Sequence, residues 1–181
     1  MPLDKAVMMT RSFSTGLLAA VASAALISGA APAQTIRNHN SNAPVDFSAG
    51  SLELQDRADR VVLSGGVTVT QAGLTMKSSR LTAAYTSQGK TDVNRMDATG
   101  GVTITKDDLR ATSNAAIYDL DANLITLLGN VDLRQGTNRL NGGRLVIDLN
   151  SGRSTINGGG APGVNNSGGR VTGSFTVPQR N

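Results

Sequence analysis

The chain contains no cysteine, no tryptophan and one histidine, and aromatic residues make up 3% of its 181 residues. Without cysteine it can form neither a disulfide nor a thiolate metal site, so its stability has to come from a packed core. Few aromatic side chains are available to stack on bases, and the net charge of +4 is spread over interspersed acidic and basic residues. Nucleic acid is therefore not expected as a partner.

Residues suited to catalysis are equally scarce. His39 lies in a polar stretch where nothing orients it beside a nucleophile, as a Ser-His-Asp site requires, and one histidine without cysteine makes a poor metal site. Asp107 and Asp108 stand where an equivalent stretch has Ala72 and Gly73, which indicates a solvated hairpin tip rather than a catalytic carboxylate pair. We expect no enzymatic activity and no cofactor.

Two motif matches are explained better by turns and linkers. Residues 119–124 begin like a calcium-binding loop, but Leu124 occupies the place of its glycine and Asn130 the place of its final glutamate. Residues 158–163 contain a GxGxxG pattern, but Pro162 interrupts it and no helical pattern follows. We therefore interpret the first stretch as a turn and the second as a flexible linker.

One long apolar run is present, and it lies near the N-terminus. Arg11 precedes an apolar run over residues 17–27, and Ala31-Pro32-Ala33 follows it, which is the order of regions in a secretory signal peptide. The run is shorter than the roughly 20 apolar residues that a membrane span needs. We expect cleavage after Ala33, with an uncleaved anchor as the alternative.

The rest of the chain divides by composition. The expected segments are a signal peptide at 1–33, a flexible polar arm at 34–43, a folded domain at 44–157, a Gly-rich linker at 158–170, and a C-terminal edge strand and tail at 171–181.

Within the folded domain, apolar residues stand at every second position, with Ser, Thr, Lys, Asp or Glu between them. This alternation is typical of β-strands that bury one face. Val67, Val102 and Val131 occupy equivalent places in a repeat of about 30 residues, each following Gly-Gly or Gly-Asn. A fourth copy begins near Ile156 and degenerates. The sequence therefore predicts an all-β fold of rolled antiparallel strands.

Repeated strands with one apolar face must bury that face against each other. We therefore expect two facing sheets, built from strands of about seven residues, with an apolar slot between them. Glycines are expected at the turns, where a tight reversal needs a positive φ. The slot, rather than a catalytic group, is predicted to be the functional element.

Three stretches resemble the OstA-like (LptA) family of lipopolysaccharide-transport proteins. They are residues 44–55, 61–85 and 116–149, which resemble the opening strand pair and two copies of the family's Gly-Asn-Val, strand, turn and strand unit. Gly100 and Gly101 depart from the Gly-Asn pair that the family often has. The Gly-rich residues 157–170 depart more, because ordered strands are expected there.

The resemblance implies a V-shaped OstA-like β-jellyroll in the periplasm, open at both ends, with an apolar groove that carries the acyl chains of lipid A. It implies head-to-tail joining of such modules by their edge strands. The implied partners are lipopolysaccharide, an OstA-like component of the inner-membrane transport complex, an outer-membrane assembly protein with an OstA-like N-terminal domain, and further copies of this chain.

On this interpretation, one set of side chains lines the groove and a second forms the edges that meet a partner. The groove residues are Val45, Phe47, Val67, Val69, Leu74, Met76, Leu81, Val102, Ile104, Tyr118, Leu120, Leu127, Val131, Leu133, Leu145 and Ile147. The edge residues are Val45, Phe47, Val171, Phe175 and Val177, and residues 171–177 are expected to be a final edge strand or a docking peptide.

Three other functions are compatible with the same sequence. A membrane-tethered OstA-like component of the same complex would keep the N-terminal apolar segment as its anchor. A secreted β-solenoid scaffold would have the same strands around a dry core and would bind no ligand. A polysaccharide-acting β-roll would need clustered carboxylates on one face, whereas the sequence places them at turns.

Overall fold

A computed structural model describes residues 36, 39–86, 92–159 and 169–177. The expected signal peptide and most of the expected Gly-rich linker lie outside these residues. The described strands are β1 (Asp46–Ser48), β2 (Ser51–Gln55), β3 (Arg60–Gln71), β4 (Leu74–Thr86), β5 (Asp92–Lys106), β6 (Leu109–Asp119), β7 (Leu124–Gln135), β8 (Asn138–Asp148), β9 (Ser154–Asn157) and β10 (Thr172–Ser174), and one short 3-10 helix spans Asp56–Ala58.

All ten strands belong to one antiparallel sheet. The order is β1-β3-β4-β5-β6-β7-β8-β10, with β2 also paired to β3 and β9 also paired to β8. The predicted all-β fold is confirmed, although the strands form one bent sheet rather than two separate ones. In the part of the chain that is described, no helix combines the length and apolar character needed to cross a lipid bilayer.

Two-residue loops join β3 to β4, β5 to β6 and β7 to β8, whereas four residues separate β6 from β7. Ala72 (φ 46°), Asp107 (φ 52°) and Gly136 (φ 55°) each begin such a loop with the positive φ that matches the twist of a hairpin. Asp107 and Asp108 are exposed at the tip between β5 and β6, where the sequence predicted them. Because each of these reversals uses only two residues, the two strands that it joins stay paired up to the loop.

The glycine pairs do not lie at these reversals. Gly65 and Gly66 lie inside β3, and Gly100 and Gly101 lie inside β5, all with φ between 80° and 82°. The register with the neighbouring strand shifts at each pair, which marks a β-bulge that bends the strand. The expectation of seven-residue strands was therefore wrong, because each long strand is two such segments joined through a bend.

Serines stabilise the bend on the strands between the glycine pairs. The Ser78 hydroxyl donates to the carbonyl of Arg80 (3.1 Å), and the Ser113 hydroxyl donates to the carbonyl of Ala115 (2.8 Å). Both serines are more than 90% buried. Each serine hydroxyl, buried at the bend, therefore has a hydrogen-bond partner within its own strand.

The repeat predicted from sequence has a direct counterpart in hydrogen bonding. The backbone N–H of Tyr85 donates to the carbonyl of Asp59 (3.0 Å), that of Leu120 to Asn94 (2.9 Å) and that of Leu149 to Asn123 (2.9 Å). Tyr85, Leu120 and Leu149 are equivalent residues of the repeat, since each follows Val67, Val102 or Val131 by 18 positions. Each copy therefore ends with the same contact to the strand before it.

The fourth copy contributes two short strands in its described part. β9 pairs with residues 144–147 of β8, and β10 pairs with residues 139–141, so the two short strands lie in line along one neighbour. Gly158 and Gly169 contact each other at the bend, and a Cβ on either would meet the backbone of the other. β10 therefore pairs within its own chain, on the same strand as β9.

The bends divide the sheet into two limbs. The first limb holds residues 60–64, 80–86, 92–99, 115–119, 124–128 and 144–148, and the second holds residues 67–71, 74–77, 102–106, 109–112, 131–135 and 138–142. Apolar side chains from both limbs belong to one buried cluster. This geometry corresponds to the V-shaped roll that the resemblance implied.

Candidate functional site

The space between the limbs, here called the slot, is lined by the alternating apolar residues. Pairing places these residues on one face, since directly opposed residues share a face of the sheet. The predicted lining residues that are at most 7% exposed are Val67, Val69, Leu74, Met76, Leu81, Val102, Ile104, Tyr118, Leu127, Val131, Leu133, Leu145 and Ile147.

Three predicted lining residues lie elsewhere on this face. Val45 and Leu120 are partly buried and pack against the edge of the cluster. Phe47 is 56% exposed, so it does not line a buried wall. It pairs with Val69 and therefore shares the inward face, but it lies on β1, the first strand in the sheet order, where no described strand covers it.

Several lining residues were missing from the prediction. Leu63, Met96, Ala98, Ala116 and Ile125 are all at most 3% exposed and belong to the same cluster. The alternation that identified their neighbours also includes them, and the repeat aligns Leu63, Ala98 and Leu127.

The slot is almost entirely aliphatic. Among described residues, the buried polar ones are Gln71, Ser78 and Ser113, and the two serines are used within the bend. Such a wall offers dispersion contacts and removal from water, but few hydrogen bonds that would fix a ligand's orientation. The near-zero exposure of its side chains shows that the limbs are closed on each other in this structure.

Both edges of the sheet expose apolar residues. Leu52 (52% exposed) pairs with Leu63 and Leu54 (57%) pairs with Val61, so they continue the inward face to the β1–β2 edge together with Phe47. At the other edge, Val171, Phe175 and Val177 are 42%, 62% and 79% exposed beside β10. The two ends of the sheet therefore carry open strand edges flanked by exposed apolar side chains.

Gln71 is a buried polar residue at the rim of the slot, at the end of β3. Its amide nitrogen donates to the carbonyls of Ser41 and Ala43 (2.9 Å each), and its carbonyl oxygen accepts from the Tyr118 hydroxyl (2.6 Å). His39 Nε2 lies 3.3 Å from the same oxygen. The residues expected to be a loose arm are thus held against the sheet in their described part, and Ile36 is buried in the cluster.

Burial sets the protonation of this group of residues. It raises the pKa of Tyr118, so the phenol keeps the proton that it donates to Gln71. Burial, with a smaller contribution from Lys106, lowers the pKa of His39 despite its contact with Gln71. A neutral His39 is therefore favoured in the slot rim.

Charged residues lie on the outer surface rather than in the slot. Arg95 pairs with Asp97 (2.8 Å), and Asp132 contacts both Arg134 and Arg139. Burial alone would raise the pKa of Asp132, but hydrogen bonds from the two arginines lower that pKa below its usual value. Exposed pairs of this kind contribute little to stability. Over the described ranges, no group of three or more His, Asp or Glu side chains could hold a metal ion.

Comparison with known proteins agrees with this geometry. Residues 47–153 match the family model described as LptA/(LptD N-terminal domain) LPS transport protein. An uncharacterised protein of Rhizobium meliloti (strain 1021) is 25% identical over 156 residues, which cover 79% of this chain and 84% of that protein.

A solved structure has the same fold. It is LptH of Pseudomonas aeruginosa, described as the LptA homologous periplasmic component of the conserved lipopolysaccharide transport device. The superposition has a TM-score of 0.67 at 17% sequence identity and covers 77% of this chain and 99% of that one.

Proposed function

This chain belongs to the LptA/LptD N-terminal domain family of lipopolysaccharide transport proteins, and from that premise we propose that it is a periplasmic bridge module whose slot carries lipid A acyl chains. The observation that supports this role is the continuous aliphatic lining shared by both limbs. The protein acts by binding and passing on a lipid, without catalysis and without a cofactor.

The chemistry of the lining suits a lipid in transit. Acyl chains gain about 25 cal/mol for each Å2 removed from water, and that gain does not depend on orientation. Few polar groups interrupt the wall, so a chain can slide along it without breaking fixed hydrogen bonds. Directed movement then requires energy from a partner, which we assign to the inner-membrane transport complex.

The two exposed edges suit head-to-tail assembly. An open strand edge can accept another strand by β-augmentation, and here each edge also carries apolar side chains that pairing would bury. Joining the β1–β2 edge of one copy to the β10 edge of the next would extend both the sheet and the slot. OstA-like partners at the inner and outer membranes would join through the same two edges.

A dry scaffold is the alternative that one observation favours. Side chains such as Ile104, Leu127 and Leu145 have no solvent exposure, as expected of a core that never opens. A scaffold binds no lipid, so lipid capture separates the two functions.

Photo-crosslinking from Phe47 tests the lipid-carrier function. Phe47 is aromatic, exposed and on the inward face, so it accepts a benzoylphenylalanine without repacking the core. Ser48, its exposed neighbour, points to the outer face and is the matched control. We expect purified protein mixed with lipopolysaccharide to crosslink at least tenfold more from position 47 than from position 48. Equal crosslinking, or none from either position, contradicts the proposal.

Mixing two edge variants tests the head-to-tail arrangement. Leu52→Glu places a charge on the β1–β2 edge, and Phe175→Glu places one beside the β10 edge. We expect each variant alone to remain monomeric, because every contact needs one edge of each kind. An equal mixture should form dimers, since each variant keeps one intact edge. Sedimentation velocity measures this, and oligomers of either variant alone would exclude the arrangement.

A further inference from the structure

The hydrogen bond between Tyr118 and Gln71 joins the two limbs. Gln71 ends β3 in the second limb, and Tyr118 lies near the end of β6 in the first. In a flat sheet these positions would be about 14 Å apart across the strands and about 30 Å apart along them. Their side chains meet at 2.6 Å because the sheet folds over, so the contact lies far from the bend, where the limbs would otherwise part.

The N-terminal segment strengthens the same contact. The side-chain amide of Gln71 donates both of its protons to the carbonyls of Ser41 and Ala43, and its oxygen accepts a hydrogen bond from the Tyr118 hydroxyl. A buried amide with all these partners is fully satisfied and has one orientation. Residues 41–43, Gln71 and Tyr118 are here called the clasp.

The repeat shows that the fold itself does not require the clasp. Ala83 and Ile147 occupy the place of Tyr118 in the other copies, and both are buried apolar residues. The place of Gln71 is taken by Lys106 and Gln135, which are partly exposed. Among the repeat positions that the structure describes, only this pair buries a side-chain hydroxyl against a side-chain amide, which costs free energy unless both groups are hydrogen-bonded. This specific substitution points to a role beyond core packing.

Two glycines at the bend opposite the clasp have open space beside them. A Cβ added at Gly66 or Gly101 would meet nothing within 4 Å, and both residues have a positive φ. Glycine at these positions leaves the backbone free of side-chain obstruction. The slot therefore has a glycine-containing bend at one side and a fastened mouth at the other.

We propose that the clasp gates the slot: breaking the Tyr118–Gln71 contact, together with release of residues 41–43, lets the limbs part and admits an acyl chain. This gating rests on the proposed lipid-carrier function. The clasp explains how a slot with closed walls can belong to a carrier.

A cysteine reporter measures opening without any lipid. The chain has no cysteine, so Ala116→Cys introduces a single thiol on a residue that is 1% exposed and two positions from Tyr118. Maleimide labelling of this thiol follows opening of the slot. We expect Tyr118→Phe, which removes only the hydroxyl, to raise the labelling rate about fivefold, and Gln71→Met, which removes every clasp bond, to raise it at least tenfold.

Tyr85→Phe is the matched control. It removes the hydroxyl of the other tyrosine, which lies 3.4 Å from exposed Asp56, and should leave the labelling rate unchanged. The rise in the clasp variants must also exceed the factor explained by their loss of global stability in urea. If the labelling rate is unchanged, or if global unfolding fully accounts for its rise, the proposal that the clasp gates the slot is wrong.

Lipid capture separates this inference from the function on which it rests. If the clasp gates entry, Tyr118→Phe should also capture lipopolysaccharide faster from position 47, by about the same factor as labelling. Capture at the unaltered rate in every variant would reject the clasp and retain the carrier. Faster labelling with no capture in any variant would show that the clasp holds the limbs together, but it would reject the carrier and with it the gating of lipid entry.

Discussion

Gly100→Ala is expected to lower the free energy of unfolding by about 2–4 kcal/mol, a large loss for one methyl group. Gly100 has φ 80°, where an L-residue is strained, and its added Cβ would lie 2.6 Å from the Cβ of Ser79. The Ser79 hydroxyl also donates to the Gly100 carbonyl at 2.6 Å, so the two strands cannot separate without breaking that bond. Urea denaturation measures the change.

Gly101→Ala is the control for Gly100. It has nearly the same φ, 81°, but its Cβ would meet nothing within 4 Å. We expect it to cost about 1 kcal/mol from backbone strain alone. Adding Ser79→Gly to Gly100→Ala should recover most of the difference between the two variants. Equal losses for Gly100→Ala and Gly101→Ala would mean that the close approach of β4 to the bulge has no energetic weight.

The role of these glycines shows what the sequence can and cannot predict. The positive φ was predicted correctly, because a Gly-Gly pair between alternating runs indicates one. Its placement at a reversal was wrong, because a bulge and a turn share this local signal. After a bulge the strand continues in the same direction along the same neighbour, whereas after a turn it reverses. Hydrogen bonds between residues distant in sequence decide which of the two occurs.

The faces of the strands were more predictable than their connections. Alternation assigns Val67 and Val69 to one face whatever the strand does next, and burial agrees. Phe47 was predicted both as a groove residue and as an edge residue. It shares the inward face but is exposed on the edge strand β1, because exposure depends on which strand is last in the sheet. The clasp carries no local signal at all, because Gln71 and Tyr118 are 47 residues apart and meet only when the limbs close.

Leu127→Ala is expected to lower the free energy of unfolding by about 2–5 kcal/mol. Leu127 has no solvent exposure and pairs with Ala116 and Leu145 on the inward face. Removing its side chain leaves a cavity between two limbs that are held at the clasp and the bend. Chemical denaturation, with the m-value checked for two-state behaviour, measures the loss.

Leu128→Ala makes the same chemical change one residue later. Leu128 faces outward, is partly exposed, and lines a shallow depression with Ile117 and Leu124. We expect it to cost less than about 1 kcal/mol, since little buried surface is lost. Similar losses at both positions would contradict the assignment of the two faces.

Leu127→Ala should lower the stability of the free protein but increase the stabilisation that it gains from lipopolysaccharide. In a slot that carries acyl chains, a cavity between the limbs is space that a methylene chain can fill, so lipopolysaccharide should recover part of the lost stability by binding the folded state. Added lipopolysaccharide should therefore raise the denaturation midpoint of Leu127→Ala more than that of Leu128→Ala. A dry core would show no such difference, because a cavity that never opens stays empty, and equal midpoint shifts would count against the slot as a lipid path.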